Sequence, residues 1–289
     1  SYLRILNMEK PFIYKYQPLW LNEFEIEEQL RLLITSLIEM DTLNILLIGE
    51  SGSGKTSLIN AIIREYYGKS NIYDNENILN INSLKEQGIA YYRTEVKTFC
   101  QTSSNSLGKK KMLIIDDIDI INEQSQQVFR NYIDKYSHNV HFIISCINTQ
   151  KVIDSIQSRM IIIKNKNLSN DKLMNIINKI SNNEKIDITD DAKKFIISIS
   201  NNSIRIIVNY FEKFKLLNRE ITSDLISDMC TNISFKEFDN YTFCCKKEKD
   251  LIKAINIMNN IYRIGYSVMD ILDNYFLYVK TTTLLEEEF

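Results

Sequence analysis

The stretch that most narrows the fold runs from Leu43 to Ile63, LNILLIGESGSGKTSLINAII. Four apolar residues, Ile45, Leu46, Leu47 and Ile48, read as a buried strand. Gly49-Glu50-Ser51-Gly52-Ser53-Gly54-Lys55-Thr56 comes next, and then apolar residues recur at helical spacing. This is a phosphate-binding loop in the strand-and-helix setting that the motif requires. Gly49, Gly52 and Gly54 let backbone N–H groups turn inward on a phosphate, Ser53 and Ser57 flank them, and the helix N-terminus adds its positive end. Lys55 is placed to neutralise β- and γ-phosphate charge, and Thr56 to offer a hydroxyl to Mg²⁺. The bland alternative is a Gly/Ser turn, and the strand and helix on either side argue against it. The pattern predicts binding of a nucleoside triphosphate.

A second apolar run, Met112-Leu113-Ile114-Ile115, ends in Asp116-Asp117-Ile118-Asp119. Asp116 can hold Mg²⁺ through water, and the carboxylate of Asp117 can orient an attacking water. An acidic helix cap is the alternative; with the phosphate loop upstream, the pair reads as the second half of a P-loop ATPase. Val140 to Cys146 reads as another buried strand, and Asn148 beyond it stands where a polar side chain could sense a γ-phosphate. Arg159 comes after a short helix in KVIDSIQSRM. It is either a finger acting in trans on a neighbouring subunit's phosphate or a surface cation, and spacing leaves both open. Asn77 to Asn82 reads as a short strand and Gly88 to Phe99 as an amphipathic helix carrying Arg93 and Lys97 one turn apart. Gln101 to Lys111 reads as a surface loop ending in Lys109, Lys110 and Lys111.

From Lys166 onward the alternation of strand and helix stops. Helices are predicted over Asn170 to Ser181, Thr189 to Ser200 and Ser203 to Leu216, with Arg205 near the start of the third. Apolar stripes continue after Thr222, and the sequence ends in Glu286-Glu287-Glu288-Phe289. Only 7 Gly and 2 Pro occur, which fits a helix-rich chain with few long irregular stretches. The organisation expected is a nucleotide-binding α/β domain over 1–165, a helical lid over 166–221 and a helical C-terminal domain over 222–289. A formal net charge of −2 supplies no global positive field, so any nucleic-acid contact has to be local or shared with partners. The 5 cysteines form no C-x-x-C pair and lie mostly far from the 2 histidines, which indicates neither a zinc site nor a disulfide framework. No apolar run reaches about 18 residues and no signal pattern opens the chain, so an intracellular protein without a membrane partner is expected.

Four further stretches carry a family resemblance. Tyr14-Lys15-Tyr16-Gln17-Pro18 is similar to E-K-Y-R-P, and NSLKEQGIAYYRTEVKTF over Asn82 to Phe99 is similar to N-A-S-D-E-R-G-I-x-x-V-R-x-x-V-K-x-F. Gln157-Ser158-Arg159-Met160 resembles a signature ending S-R-C, and NSIRIIVN over Asn202 to Asn209 resembles G-D-x-R-x-x-x-N. Together, and collinearly over about 14–280, these resemble the small subunits of the replication factor C clamp loader, within the AAA+ ATPases. The resemblance implies an α/β fold: a P-loop parallel sheet with helices on both faces, then a helical lid and a C-terminal helical collar.

It also implies roles. Lys55 and Thr56 would serve ATP and Mg²⁺, and Asp116 would bind Mg²⁺. Asn148 would be the first sensor, one position later than the family's asparagine by direct count. Arg159 would be the arginine finger for the adjacent protomer and Arg205 the second sensor in the lid. The implied partners are the other clamp-loader subunits of a hetero-pentamer, a ring-shaped sliding clamp, and primer-template DNA held without sequence preference. Arg93 and Lys97 are the candidate DNA-facing cations, with exposed helix cations as the alternative. Three departures stand out: Asp117 replaces a Glu, Gln17 replaces an Arg, and the collar reads as either a diverged small one or a truncated one. The readings kept beside the clamp loader are another AAA+ replication ATPase, of initiator or branch-migration type, and a structural subunit that binds ATP but hydrolyses it slowly.

Overall fold

The computed structural model describes residues 10–68, 76–82, 88–106, 108–166, 168–217, 219–230, 233, 235–248 and 250–281. Residues 83–87 of the Asn82 to Phe99 stretch and the terminal Glu286-Glu287-Glu288-Phe289 lie outside the described residues. Two compact units are present: Tyr14–Leu168, and Ser169–Phe289 together with the segment up to Ile13.

The first unit is built on five parallel strands, β1 (Ile45–Ile48), β2 (Ile78–Asn82), β3 (Lys111–Asp116), β4 (Val140–Cys146) and β5 (Ile161–Lys164), in the order β2-β3-β4-β1-β5. The register pairs Ile48 with Cys146 and with Lys164, and Asn82 with Asp116, so the carboxyl ends of all five strands share one edge. Successive side chains on a strand point to opposite faces, and a parallel sheet has to cover both. Accordingly Ile45, Leu47, Met112, Ile114 and Ile143 pack against the helices Glu28–Glu39 and Lys55–Tyr67 through Ile34, Leu37, Leu58 and Ile62. Leu46, Leu113, Ile115, Phe142 and Ile144 pack on the other side against Phe129, Tyr132 and Ile133 of the helix Glu123–Tyr136, and against Tyr92 and Val96. Asn122 caps that helix by accepting the Ser125 N–H, and Gly68 at φ 65° ends the helix after the phosphate loop.

The structure differs from the sequence reading in four places. β5 has no counterpart there: its four residues form a sheet edge with only Ile163 buried, too short and too exposed for a periodic signal. The helical spacing of Phe24, Ile26, Leu30, Leu33, Ile34, Leu37 and Ile38 predicts a helix from about Glu23 to Met40, whereas the helix starts at Glu28, preceded by a single 3-10 turn over Leu21–Glu23. The helix expected over Gly88 to Phe99 contains a π-turn at Tyr92–Val96, and this wider turn alters the spacing of the exposed Arg93 and Lys97. The loop expected to end in three lysines ends one residue sooner, at Lys110, with Lys109 exposed. Lys111 opens β3, is buried, and donates to the Phe99 carbonyl and the Thr102 hydroxyl; burial pulls its pKa down.

The second unit is helical: Asn170–Glu184, Asp190–Ile199, Ile204–Lys215, Ser223–Cys230, Phe235–Phe243, Leu251–Arg263 and Val268–Thr281. Thr189 and Asp250 cap two of these by accepting the N–H of Ala192 and of Lys253. Ile196, Phe211, Phe214, Phe238 and Tyr278 are among its buried residues, and the Tyr278 hydroxyl donates to Asp239.

At the amino edge of the sheet lies a polar cluster centred on a buried histidine. His141 is 1% exposed; its Nδ1 accepts the Leu43 N–H and its Nε2 lies 2.9 Å from Asp41 Oδ1. Asp41 also accepts from the Tyr66 hydroxyl and pairs with Lys110 at 3.1 Å. The Leu43 N–H needs the lone pair on Nδ1, so the ring sits neutral with its proton on Nε2. Burial pulls the His141 pKa below its usual value, against the pull of Asp41 and with that of Lys110 and Lys109. The unfolded chain therefore binds the extra proton first, and stability is lost as pH falls below about 6.5. The expected result is a lower urea midpoint at pH 5.5 than at pH 7.5, with the difference reduced in His141→Gln; equal pH sensitivity in the two proteins would contradict this assignment.

Candidate functional site

The phosphate loop leaves β1 at Gly49 and returns as the helix Lys55–Tyr67. Gly52 and Gly54 have φ of 79° and 90°, a left-handed backbone that costs side-chain-bearing residues about 1–2 kcal/mol. Gly49 is required for a different reason: a β-carbon there would lie 2.8 Å from the Asn165 carbonyl oxygen. Asn165, just after β5, reaches back with Nδ2 to the Ser53 carbonyl at 2.8 Å, tying the loop to the sheet edge. Lys55 is buried, and its Nζ donates to the carbonyls of Gly49 (2.8 Å) and Glu50 (3.1 Å). Gln17 donates to the Ser57 hydroxyl at 3.1 Å, so the residue that departs from the family's Arg braces the first turn of this helix.

The acidic pair arrives on β3 at the same edge. Thr56 Oγ1 donates to Asp116 Oδ2 at 3.0 Å, which brings together the two groups singled out for Mg²⁺. The Ser145 hydroxyl on β4 donates to the other oxygen, Asp116 Oδ1, and accepts the Asp117 N–H at 3.0 Å. Asp117 itself sits at φ 54°, ψ 56°, a conformation in which Asp and Asn are enriched. Asp119 Oδ2 accepts the N–H groups of Ile147 (3.2 Å) and Asn148 (3.0 Å), while the Asn148 side chain caps a short 3-10 turn by accepting from Gln150. Among the described residues no group of three or more His, Cys, Asp or Glu forms a metal cage. One hydroxyl beside one carboxylate suits a hard cation that takes its remaining ligands from water and phosphate.

Arg159 stands elsewhere. It precedes β5, whose first N–H bonds to the Asn44 carbonyl, so it lies at the amino edge of the sheet beside Asp41, Lys110 and His141, lining a cavity of ≈ 330 Å³. Four strand residues at about 3.3 Å each put roughly 10 Å of sheet between that edge and the phosphate loop. Its guanidinium bonds to Asp134 at 2.5 Å and to the Ser155 carbonyl at 2.8 Å, and holds the Asp134 carboxyl below the usual range. Arg205 is exposed on the helix Ile204–Lys215 of the second unit, and Arg93 and Lys97 are exposed on theirs.

Besides Asn165, two residues that frame the site escape sequence reasoning. Ser145 is a small polar residue inside an apolar strand. Gln126 carries no signal at all: a glutamine on a polar helix reads as surface. Here it is 1% exposed, donates to the carbonyls of Ile118, Ile121 and Lys151, and accepts the Ile153 N–H, joining the segments beyond β3 and β4.

The chain is similar in sequence and fold to known proteins. The sequence model of the ATPase family associated with various cellular activities (AAA) matches residues 45–168, and a model described as a middle domain matches residues 169–228. A putative replication factor C small subunit of Acanthamoeba polyphaga mimivirus is 27% identical over 277 residues, covering 96% of this chain and 85% of that protein. A replication factor C small subunit of Methanococcus maripaludis is 28% identical over 282 residues, covering 97% and 89%. Among solved structures, the RuvB Holliday junction branch migration motor of Thermotoga maritima aligns with TM-score 0.59 over 81% of this chain and 80% of that one, at 15% identity, a likeness of fold.

Asn shares the left-handed preference of Asp, so Asp117→Asn removes the carboxylate while keeping the backbone. The expected outcome is a fall in turnover of about 10²-fold or more at unchanged nucleotide affinity and unchanged thermal midpoint. Turnover close to that of the parent would remove Asp117 from the chemistry.

Proposed function

The chain carries an AAA-family ATPase domain over residues 45–168, and on that premise we propose that it is an ATP-driven clamp-loader subunit, which helps open a DNA sliding clamp and load it on primed template during replication. The observation that carries this reading is the likeness to replication factor C small subunits over nearly the whole chain, joined to a phosphate loop whose Thr56 meets Asp116.

In this reading ATP and Mg²⁺ occupy the carboxyl edge of the sheet. When bound, Mg²⁺ neutralises charge on the phosphate oxygens. Lys55 exchanges the two neutral carbonyls of Gly49 and Glu50 for charged phosphate oxygens, the stronger class of hydrogen bond. Gly49, Gly52, Ser53, Gly54 and Ser57 shape the loop, Thr56 and Asp116 hold the metal, Asp117 orients the attacking water, and Asn148 senses the γ-phosphate. Arg159, remote from its own phosphate loop, acts in trans on a neighbouring subunit. Arg205 acts as second sensor from a helical lid over 166–221, and 222–289 forms the collar.

Subunit association is supported by the helices Leu251–Arg263 and Val268–Thr281. Leu251 and Ile252 are 72% and 75% exposed, and Tyr262, Val268, Met269 and Phe276 are exposed too, far more apolar surface than isolated residues leave. The partners are related subunits of a hetero-pentamer, the clamp, and primer-template DNA contacted at its phosphates by groups such as Arg93 and Lys97. The site of action is the intracellular replication machinery; no described helix is long and apolar enough to cross a membrane.

The test is hydrolysis by the assembly recovered with this chain. Arg159→Ala is expected to leave nucleotide binding by the chain intact and to cut turnover at the adjoining site about 10³-fold, and sliding clamp with primer-template DNA is expected to stimulate the parent. Parental turnover in Arg159→Ala would refute the trans role, and indifference to clamp and DNA would refute the clamp-loader reading.

A further inference from the structure

We propose that Ser145 is a positioning residue of the hydrolysis site, one hydroxyl that sets both members of the acidic pair; this rests on the ATPase reading above. β4 lies between β3 and β1 in the sheet, and Ser145 pairs in register with Leu47 while Ile144 pairs with Ile115. It is fully buried in a strand, VHFIISC, otherwise filled by large or apolar side chains apart from His141. A buried hydroxyl is retained at a cost unless its donor and its lone pair are both used. Both are used here, and neither on the residue's own strand: the O–H donates to Asp116 Oδ1, and the oxygen accepts the Asp117 N–H at 3.0 Å.

The two bonds fix different things. The first fixes the rotation of the Asp116 carboxylate. With Oδ1 engaged by β4, Oδ2 is left facing the helix after the phosphate loop, where it accepts from Thr56 at 3.0 Å. The second bond holds the peptide that places Asp117 at φ 54°, ψ 56°, and so decides where the shorter of the two possible acids directs its carboxylate. Asp119 then grips in the opposite direction, accepting the N–H groups of Ile147 and Asn148 at 3.2 and 3.0 Å. The end of β3 and the end of β4 are locked at two points, and the acidic pair and Asn148 sit in one frame. A serine placed only to fill space would need neither bond.

The test compares Ser145→Ala and Ser145→Thr with the parent, each as the full chain purified with its co-purifying subunits. Measured are kcat, nucleotide affinity without Mg²⁺, and the Mg²⁺ concentration giving half-maximal rate. Ser145→Ala is expected to lower kcat at least 10-fold and to raise the Mg²⁺ requirement, with metal-free nucleotide affinity within about twofold of the parent; Ser145→Thr, which keeps the hydroxyl, recovers most of both. Metal-free binding at parental strength also reports that the alanine variant has folded. If it has not, Ser145→Cys, close in size with a weak donor, takes its place in the same measurement with the same expectation. Parental kcat and Mg²⁺ dependence in the folded alanine or cysteine variant would overturn the proposal. Lys55→Ala separates the two levels: hydrolysis undiminished from the parental assembly after that change would overturn the ATP-site reading itself, whereas a fall beside an unaffected Ser145→Ala would overturn the role of Ser145 alone.

Discussion

A parallel sheet covered on both faces has only its two edges of strand ends for polar chemistry, and in this chain that restriction places the polar groups that the strands carry. Ile45, Leu47, Met112, Ile114 and Ile143 are committed to one helical layer, and Leu46, Leu113, Ile115, Phe142 and Ile144 to the other. The residues at or just past the carboxyl ends of β1, β3, β4 and β5 are therefore free to be polar: Gly49 and the phosphate loop, Asp116 with Asp117, Asn148 after Cys146, and Asn165 after Lys164. Strand ends in register deliver these groups to one edge, and the helix starting at Lys55 aims its N-terminus at the same edge.

The opposite edge shows how polar groups settle when no phosphate awaits them. Asp41, Tyr66, Lys110 and His141 satisfy one another, with the histidine held neutral by burial and by the lone pair it owes to the Leu43 N–H. Arg159 shares that edge and is already bonded to Asp134 and the Ser155 carbonyl. An arginine so placed lies across the sheet from the phosphate loop of its own unit.

Where the sequence is informative, chemistry forces a pattern. The glycines at 52 and 54 are there for positive φ, the lysine and threonine for charge and metal, and the acids at 116 and 117 close an apolar run, so their meeting with Thr56 is legible in advance. The long helices are legible from apolar spacing. Residues acting through a single hydrogen bond leave no such trace. Ser145, Asn165 and Gln126 are ordinary residues whose importance comes from carbonyls, N–H groups and carboxylates far away in sequence. β5 escapes notice because an edge strand of four residues buries one side chain, and the π-turn at Tyr92–Val96 because periodicity does not distinguish one wide turn in a helix. Lys111 looks like the end of a basic loop because its acceptors, Phe99 and Thr102, come from the preceding helix end.

A member of a ring-loading ATPase assembly has to be found in that assembly. The decisive measurement is the native mass and composition of the material recovered through a tag on the full chain in the presence of a slowly hydrolysed ATP analogue. Membership requires a five-membered complex of this chain with related AAA-family subunits that also retains a ring-shaped clamp. A six-membered ring of this chain alone, or a monomer indifferent to nucleotide, would contradict it.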